Sequence, residues 1–441
     1  MQIVQLLLSL SILVAIHEFG HFLFAKLFKT RVEKFYLFFD FLFPFANVAK
    51  FSLFKKKVGD TEYGIGWFPL GGYVQISGMI DEQMDKSVLS SPPQPWEFRS
   101  KPAWQRLLIM IGGIFMNILL GIFIYWMILF VWGKEYIPAN QLKYGIQCDS
   151  VALSVGLKNG DNIISIDHEP VQSIEKVALK IIINQAKSIQ VERNGKTIDL
   201  PITEQHISDI LANSKKSVFV LPRTPVEVDS VIPHSYADDA GFRKGDRIIK
   251  ADTIPVFFFD ELQSALLQYK GKEQVPFTVV RGNDTIILKS NVTLSGTLGF
   301  IRNIDKYIPV KTEKYNLADA FREGIHTAVN NIVMQAKQFS ILLKVKDAHK
   351  QVGGFYSMYK AMPESWNWQA FWNFTAFLSL VLAFMNFLPI PMLDGGYILF
   401  TLFEIITGKR VPEKVIYAAN QIGLFILLAL MIWANTDWLR N

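Results

Sequence analysis

His17-Glu18-Phe19-Gly20-His21 lies inside an apolar run that opens with residues 3–16 (IVQLLLSLSILVAI) and continues through Phe22-Leu23-Phe24-Ala25. On a helix, an H-E-x-x-H pattern sets its two histidines on one face, so the rings of His17 and His21 can converge. Two neutral imidazoles so placed can hold one Zn²⁺, and Glu18 stands beside them as a general base for an attacking water. Ordinary residue usage produces this pattern by chance about once in a hundred chains of this length. Apolar spans exclude charge, so a chance match within one is rarer still. The competing readings are accident and a buried structural His pair. An ionisable trio in hydrocarbon is costly unless it faces a protein interior or a water-filled cavity. The stretch therefore predicts a polytopic α-helical membrane protein with chemistry at membrane depth.

The rest of the composition narrows the choices. The chain has 441 residues, half of them apolar, with 35 Phe and 10 Trp, as befits rings gathered at lipid interfaces. A net charge of +6, dispersed along the chain, gives no basis for nucleic-acid binding. The single cysteine, Cys148, excludes an internal disulfide and a Cys-rich metal site. A zinc ion would then be held by His and carboxylate. No Lys or Arg precedes Lys26, so the N-terminus lacks the basic region of a signal peptide and reads as a retained first span.

Four stretches, roughly 3–25, 105–132, 371–399 and 415–435, are long and apolar enough to cross a bilayer. Lys and Arg gather between Lys26 and Arg106 and again at Lys409, Arg410 and Lys414. The positive-inside rule makes both loops cytoplasmic and turns the long middle region outward. The predicted order is a first span with H-E-x-x-H (1–27), a cytoplasmic, membrane-associated β-rich segment (28–103) and a second span (104–133). Two α+β domains (136–222 and 223–308), an outward-side amphipathic helical linker (312–368), a third span (369–400) and a fourth (413–437) follow.

Within the β-rich segment, Phe35 to Phe45 is strongly aromatic, and Tyr63–Trp67 and Leu70–Ile76 read as short strands broken by Gly and Pro. Such strands could line the site, with Gly71, Gly72 and Tyr73 at an edge that pairs with an extended substrate. A hairpin with no catalytic purpose is the alternative. The middle region repeats itself: Gly156, Gly160, Asp161, Ile163, Ile164, Asp167, Pro170 and Val171 recur 85 residues later as Gly241, Gly245, Asp246, Ile248, Ile249, Asp252, Pro255 and Val256. A second echo joins Arg193 with Arg281. Each unit reads as short strands, one helix and a tight hairpin, and Asp161 and Asp246 read as turn-fixing residues. In residues 315–346, Leu317, Phe321, Ile325, Val329, Ile332 and Met334 have helical spacing, predicting a helix on or against the membrane, or a soluble connector. His168, His206, His234, His326 and His349 read as surface or structural residues.

Two histidines do not complete a catalytic zinc site; a third protein ligand and an open position are needed. Asp394 stands in otherwise apolar sequence and asks for a partner. Pro389 and Pro391, just before it, break the helix and free carbonyls. Asn386 can orient substrate amides. In span two, Gly112 and Gly113 permit close helix approach, and Asn117 bonds either to the site or to a neighbouring helix.

Together these motifs carry a resemblance. H-E-x-x-H in span one is joined by G-G-x-x-x-N (Gly112 to Asn117) in span two and N-x-x-P-x-P-x-x-D-G-G (Asn386 to Gly396) in span three. F-P-L-G-G-Y-V (Phe68 to Val74) and a tandem insert with G-[LF]-x-x-G-D-x-I-I complete the order. The insert resembles PDZ domains, which implies capture of peptide ends, with size-excluding plugs as the alternative. The whole chain resembles the site-2 family of intramembrane zinc metalloproteases, in its bacterial regulator of sigma-E protease subgroup. That resemblance implies His17, His21 and Asp394 as Zn²⁺ ligands, Glu18 as general base, and substrate contacts at Asn386 and Pro389. It implies a bacterial inner-membrane protein with periplasmic PDZ-like domains. Its substrates would be single-span membrane proteins, such as an anti-sigma factor already shortened outside, and signal-peptide remnants. Ile114 stands where many relatives have Pro, and Gly353-Gly354-Phe355 where many have Gly-Pro-Ile. Two rival readings are a non-catalytic PDZ-bearing receptor or scaffold with a structural metal, and a surface zincin.

Overall fold

A computed structural model describes residues 1–42, 49–69, 71–79, 92–214, 216–344 and 353–435. Phe45, Leu70 and His349, named above, lie outside the described residues. The chain divides into two compact units, one formed by Met1–Gly133, Lys314–Lys344 and the C-terminal helices, the other by Lys134–Glu313.

The longest helices of the first unit among the described residues are α1 (Gln2–Leu27), α2 (Ala103–Val131), α3 (Leu317–Lys344), α4 (Trp368–Phe387), α5 (Asp394–Thr407) and α6 (Glu413–Ala434). Of these, α1, α2, α4 and α6 are long and apolar enough to cross a membrane. The third apolar stretch is not one helix, and its second half runs past residue 400. A proline disfavours helical backbone in the residue before it, and Leu388, preceding Pro389, adopts an extended ψ of 141° that ends α4. The chain turns and restarts as α5 at Asp394, which continues to Thr407 until Gly408 takes a left-handed φ of 69°.

Four strands, β1 (Val32–Leu37), β2 (Ser52–Val58), β3 (Thr61–Gly66) and β4 (Tyr73–Ile76), form one sheet in the order β2-β3-β1-β4. β1 runs parallel to β3 and antiparallel to β4. The aromatic run thus begins as a strand, with Tyr36 buried against Tyr73. Helix α3 presents a face that its apolar spacing did not single out. Leu317, Phe321, Ile325 and Val329 are exposed, whereas Ala320 and Ala328 are buried and Gly324 backs directly onto Trp126 of α2. A row of small residues lets two helices approach closely; of the large apolar side chains, Phe321 meets the Trp126 ring edge-on at 5.2 Å and Ile332 packs on the cluster around Ala328.

In the second unit, Asn162–Ile166, Glu169–Pro170, Ser188–Arg193 and Lys196–Pro201 form one four-stranded sheet, and Arg247–Ala251, Ile254–Pro255, Val275–Arg281 and Asp284–Ser290 form another. In each, the first strand lies between the second and third, and the fourth lies outside the third. The register slips at the same place, after Ile163 in one sheet and after Ile248 in the other. Asp167 and Asp252 both turn their hairpins with positive φ, 48° and 52°, which Asp tolerates better than most residues. Each half carries two helices rather than one, Ser150–Val155 with Val177–Asn184 and Tyr236–Asp239 with Phe259–Gln268. The first adds a third, Glu204–Asn213, whose N-terminus is capped by Thr203 and His206.

Candidate metal centre

The H-E-x-x-H turn lies in the second half of α1, where α1 meets α2. His17 and His21 are buried, and their Nε2 atoms are 3.3 Å apart. Asp394, the first residue of α5, brings its Oδ2 to 3.3 Å from each of those nitrogens. Donors about 2.0–2.1 Å from a zinc ion at tetrahedral angles are separated by about 3.3–3.4 Å. The three atoms therefore form one face of a tetrahedron of the right size, and a fourth position is left for water or substrate, as catalytic sites require.

Protonation agrees with that fit. His21 Nδ1 lies 2.8 Å from the Ile109 carbonyl oxygen. A carbonyl only accepts, so Nδ1 carries the proton and Nε2 keeps its lone pair. His17 Nδ1 is 3.1 Å from the Asn117 amide nitrogen, while Asn117 Oδ1 is buried without a partner. Turning that amide by half a rotation gives both groups a partner, with His17 Nδ1–H donating to Oδ1 and Nε2 again free for a cation. Asp394 Oδ2 likewise accepts no hydrogen bond. Gly113 makes room for the rings: a Cβ there would stand 2.5 Å from His21 Nε2 and 2.6 Å from His17 Cε1.

A cavity of about 120 Å³ opens on the three donors, lined also by Glu18, Tyr73, Val74, Asn386, Met392 and Tyr397. Glu18 and Val74 of β4 line the same cavity wall beside the donors. The Asn386 amide nitrogen lies 3.2 Å from His17 Nε2. Such a volume holds a few waters but is smaller than ordinary ligand pockets of roughly 300–1,000 Å³.

Other residues singled out in the sequence lie elsewhere. Asn117 sits behind His17 and does not line the cavity. Gly71 packs on the Phe39 ring and lines a separate cavity with Leu10 and Val14, and Gly72 packs on the Tyr36 carbonyl. Pro389 is exposed and outside the cavity. Of the G-G-Y triplet only Tyr73 reaches the centre, because β4 begins there; its hydroxyl donates to Asp40 at 2.9 Å. Two polar lining residues are not marked out by the motifs, Tyr397 one turn beyond Asp394 and Asn420 in α6. Asn420 had a signal: with Gln421 it forms an amide pair in a span that is apolar on both sides of it.

Residues 5–430 match Peptidase family M50. The chain is similar to the regulator of sigma E protease of Haemophilus influenzae, with 26% identity over 98% of each chain. It is also similar to the regulator of sigma-E protease RseP of Escherichia coli, with 27% identity over 96% of this chain and 95% of that one.

Proposed function

This chain belongs to peptidase family M50 and is a zinc metalloprotease of regulated intramembrane proteolysis; on that premise we propose that it cuts single-span membrane proteins within or near their transmembrane helix. One observation carries the reading: His17 and His21, on a helix apolar enough to span a bilayer, and Asp394, on the helix that follows another such span, aim three donors at one point beside Glu18.

When bound there, Zn²⁺ supplies a Lewis acid that polarises the scissile carbonyl and makes water acidic near neutral pH. Glu18 takes the proton of the attacking water and passes it to the leaving amine. Asn386, at the mouth of the donor triangle, orients the substrate amide. A helical substrate locks its carbonyls in i to i−4 bonds, so it must unwind. The outer edge of β4, whose Val74 and Ile76 line the cavity, can receive it as an added strand. The Lys- and Arg-rich loops face the cytoplasm of a bacterial inner membrane. Lys134–Glu313 faces outward as a PDZ-like pair that captures peptide ends or excludes uncut proteins. An anti-sigma factor shortened outside, or a signal-peptide remnant, fits these demands.

The test is cleavage of a single-span reporter by purified protein, with product ends located by mass spectrometry. Ends inside the span support the proposal. Ends confined to soluble loops would replace it with a surface protease, and full biological activity of Glu18→Gln would replace it with a scaffold.

A further inference from the structure

We propose that Asn420 is a positioning residue for the Asp394 ligand, which makes the fourth apolar helix part of the metal centre. The proposal rests on the zinc reading above and concerns what fixes its third donor.

Helix α6 is the least embedded of the four apolar helices, and the buried residues along it are Asn420 and Gly423. An amide in such a helix is costly without partners and points to function. Asn420 has two. Its Oδ1 accepts the Met392 backbone N–H at 3.2 Å, and its Nδ2 donates to the Tyr397 hydroxyl at 3.0 Å. The two bonds bracket Asp394, one in the turn that precedes it and the other on the first turn of α5. Met392 is where that turn needs holding. Its φ is 81°, a conformation a side-chain-bearing residue keeps only when its surroundings enforce it. Gly423, nearly one turn further along α6, lies against the Pro391 backbone so closely that a Cβ would overlap the Pro391 carbonyl. Loop and helix are therefore seated on each other at Pro391 and Met392, and the direction of the Asp394 carboxylate follows. Asn420 also lines the cavity that holds His17, Glu18 and His21. Its two bonds run to Met392 and Tyr397 rather than to a donor, so its action on Asp394 is through the loop and the first turn of α5.

The experiment measures Zn²⁺ affinity by chelator competition on the purified full-length protein, alongside thermal unfolding and the kcat and KM for a reporter span. Asn420→Leu removes both bonds and is expected to weaken zinc binding about 10- to 100-fold, the range for partners that orient a metal ligand. Asn420→Asp is isosteric and can still accept from the Met392 N–H and the Tyr397 O–H, so its affinity stays near that of the parent. Loss in Leu with retention in Asp establishes the role. Unchanged affinity in Leu, or equal loss in both, overturns it. Should Asn420→Leu not purify as a folded protein, Asn420→Ala is read by the same criteria. His17→Ala serves as the reference for the zinc reading itself: if it binds zinc as well as the parent, that reading fails independently of Asn420.

Discussion

Asp394 and Asp246 are both shielded carboxylates in a basic chain, yet their oxygens are spent in opposite ways. Asp246 is fully buried and saturated: Arg281 donates to Oδ1 from Nε at 2.7 Å and to Oδ2 from Nη2 at 2.8 Å, and the Arg243 N–H donates to Oδ2 at 2.9 Å. Asp161 repeats the arrangement with Arg193 and the Lys158 N–H. In both, the arginine also reaches a glycine carbonyl, Gly241 or Gly156, closing a turn. Asp394 Oδ2 has no donor and faces two imidazole nitrogens that are themselves acceptors. A buried acceptor left unsatisfied is expensive, so the saturated carboxylates are already committed to structure, while the unsatisfied one has an oxygen to offer the proposed cation.

The sharpest break with this contrast comes from alanine at the two positions. Asp394→Ala should weaken zinc binding by more than about 100-fold, beyond the loss typical of an outer partner, and cleavage should vanish with the metal; metal analysis and a reporter assay read both. Glu18→Gln should keep the metal and lower cleavage by about 10²–10⁴-fold, the usual contribution of a general base; if purified Glu18→Gln cleaves like the parent, Glu18 is no base. Gly113→Ala should force the two rings aside at a cost of about 1–3 kcal/mol, seen as a rise of roughly 5- to 150-fold in the zinc dissociation constant. Asp246→Ala should leave zinc binding untouched and lower the stability of Lys134–Glu313 by about 1.5–3 kcal/mol, the value of hydrogen bonds to a charged group, read from thermal unfolding. If Asp246→Ala strips zinc, or Asp394→Ala only lowers stability, the contrast is wrong.

The centre was legible where chemistry is local or conspicuous. H-E-x-x-H needs one helix turn to declare itself, and Asp394 is a carboxylate in apolar sequence; the structure brings all three donors within 4.8 Å of one another. Legibility failed where packing decides. Strand β1 was hidden in an aromatic run whose composition speaks equally for lipid contact. The G-G-Y triplet pointed to Gly71 and Gly72, but glycines mark places where neighbours come close, and here the neighbours are Phe39 and Tyr36. On α3 the closest approach to α2 comes at Gly324, with Ala320 and Ala328 buried one turn to either side, and such small residues carry little weight in a pattern read from large apolar side chains. Asn420 stands beside Gln421 in α6, and an amide pair in an apolar helix does not tell which of the two turns inward.

His17 and His21 ride on one helix, while Asp394 arrives on another from near the opposite end of the chain. A small slide of α5 against α1 would stretch two sides of the donor triangle and leave the His17–His21 side at its present length. Retention of the ion then works as a strain gauge. It reads how far two helices have moved past each other, well before either has begun to unravel.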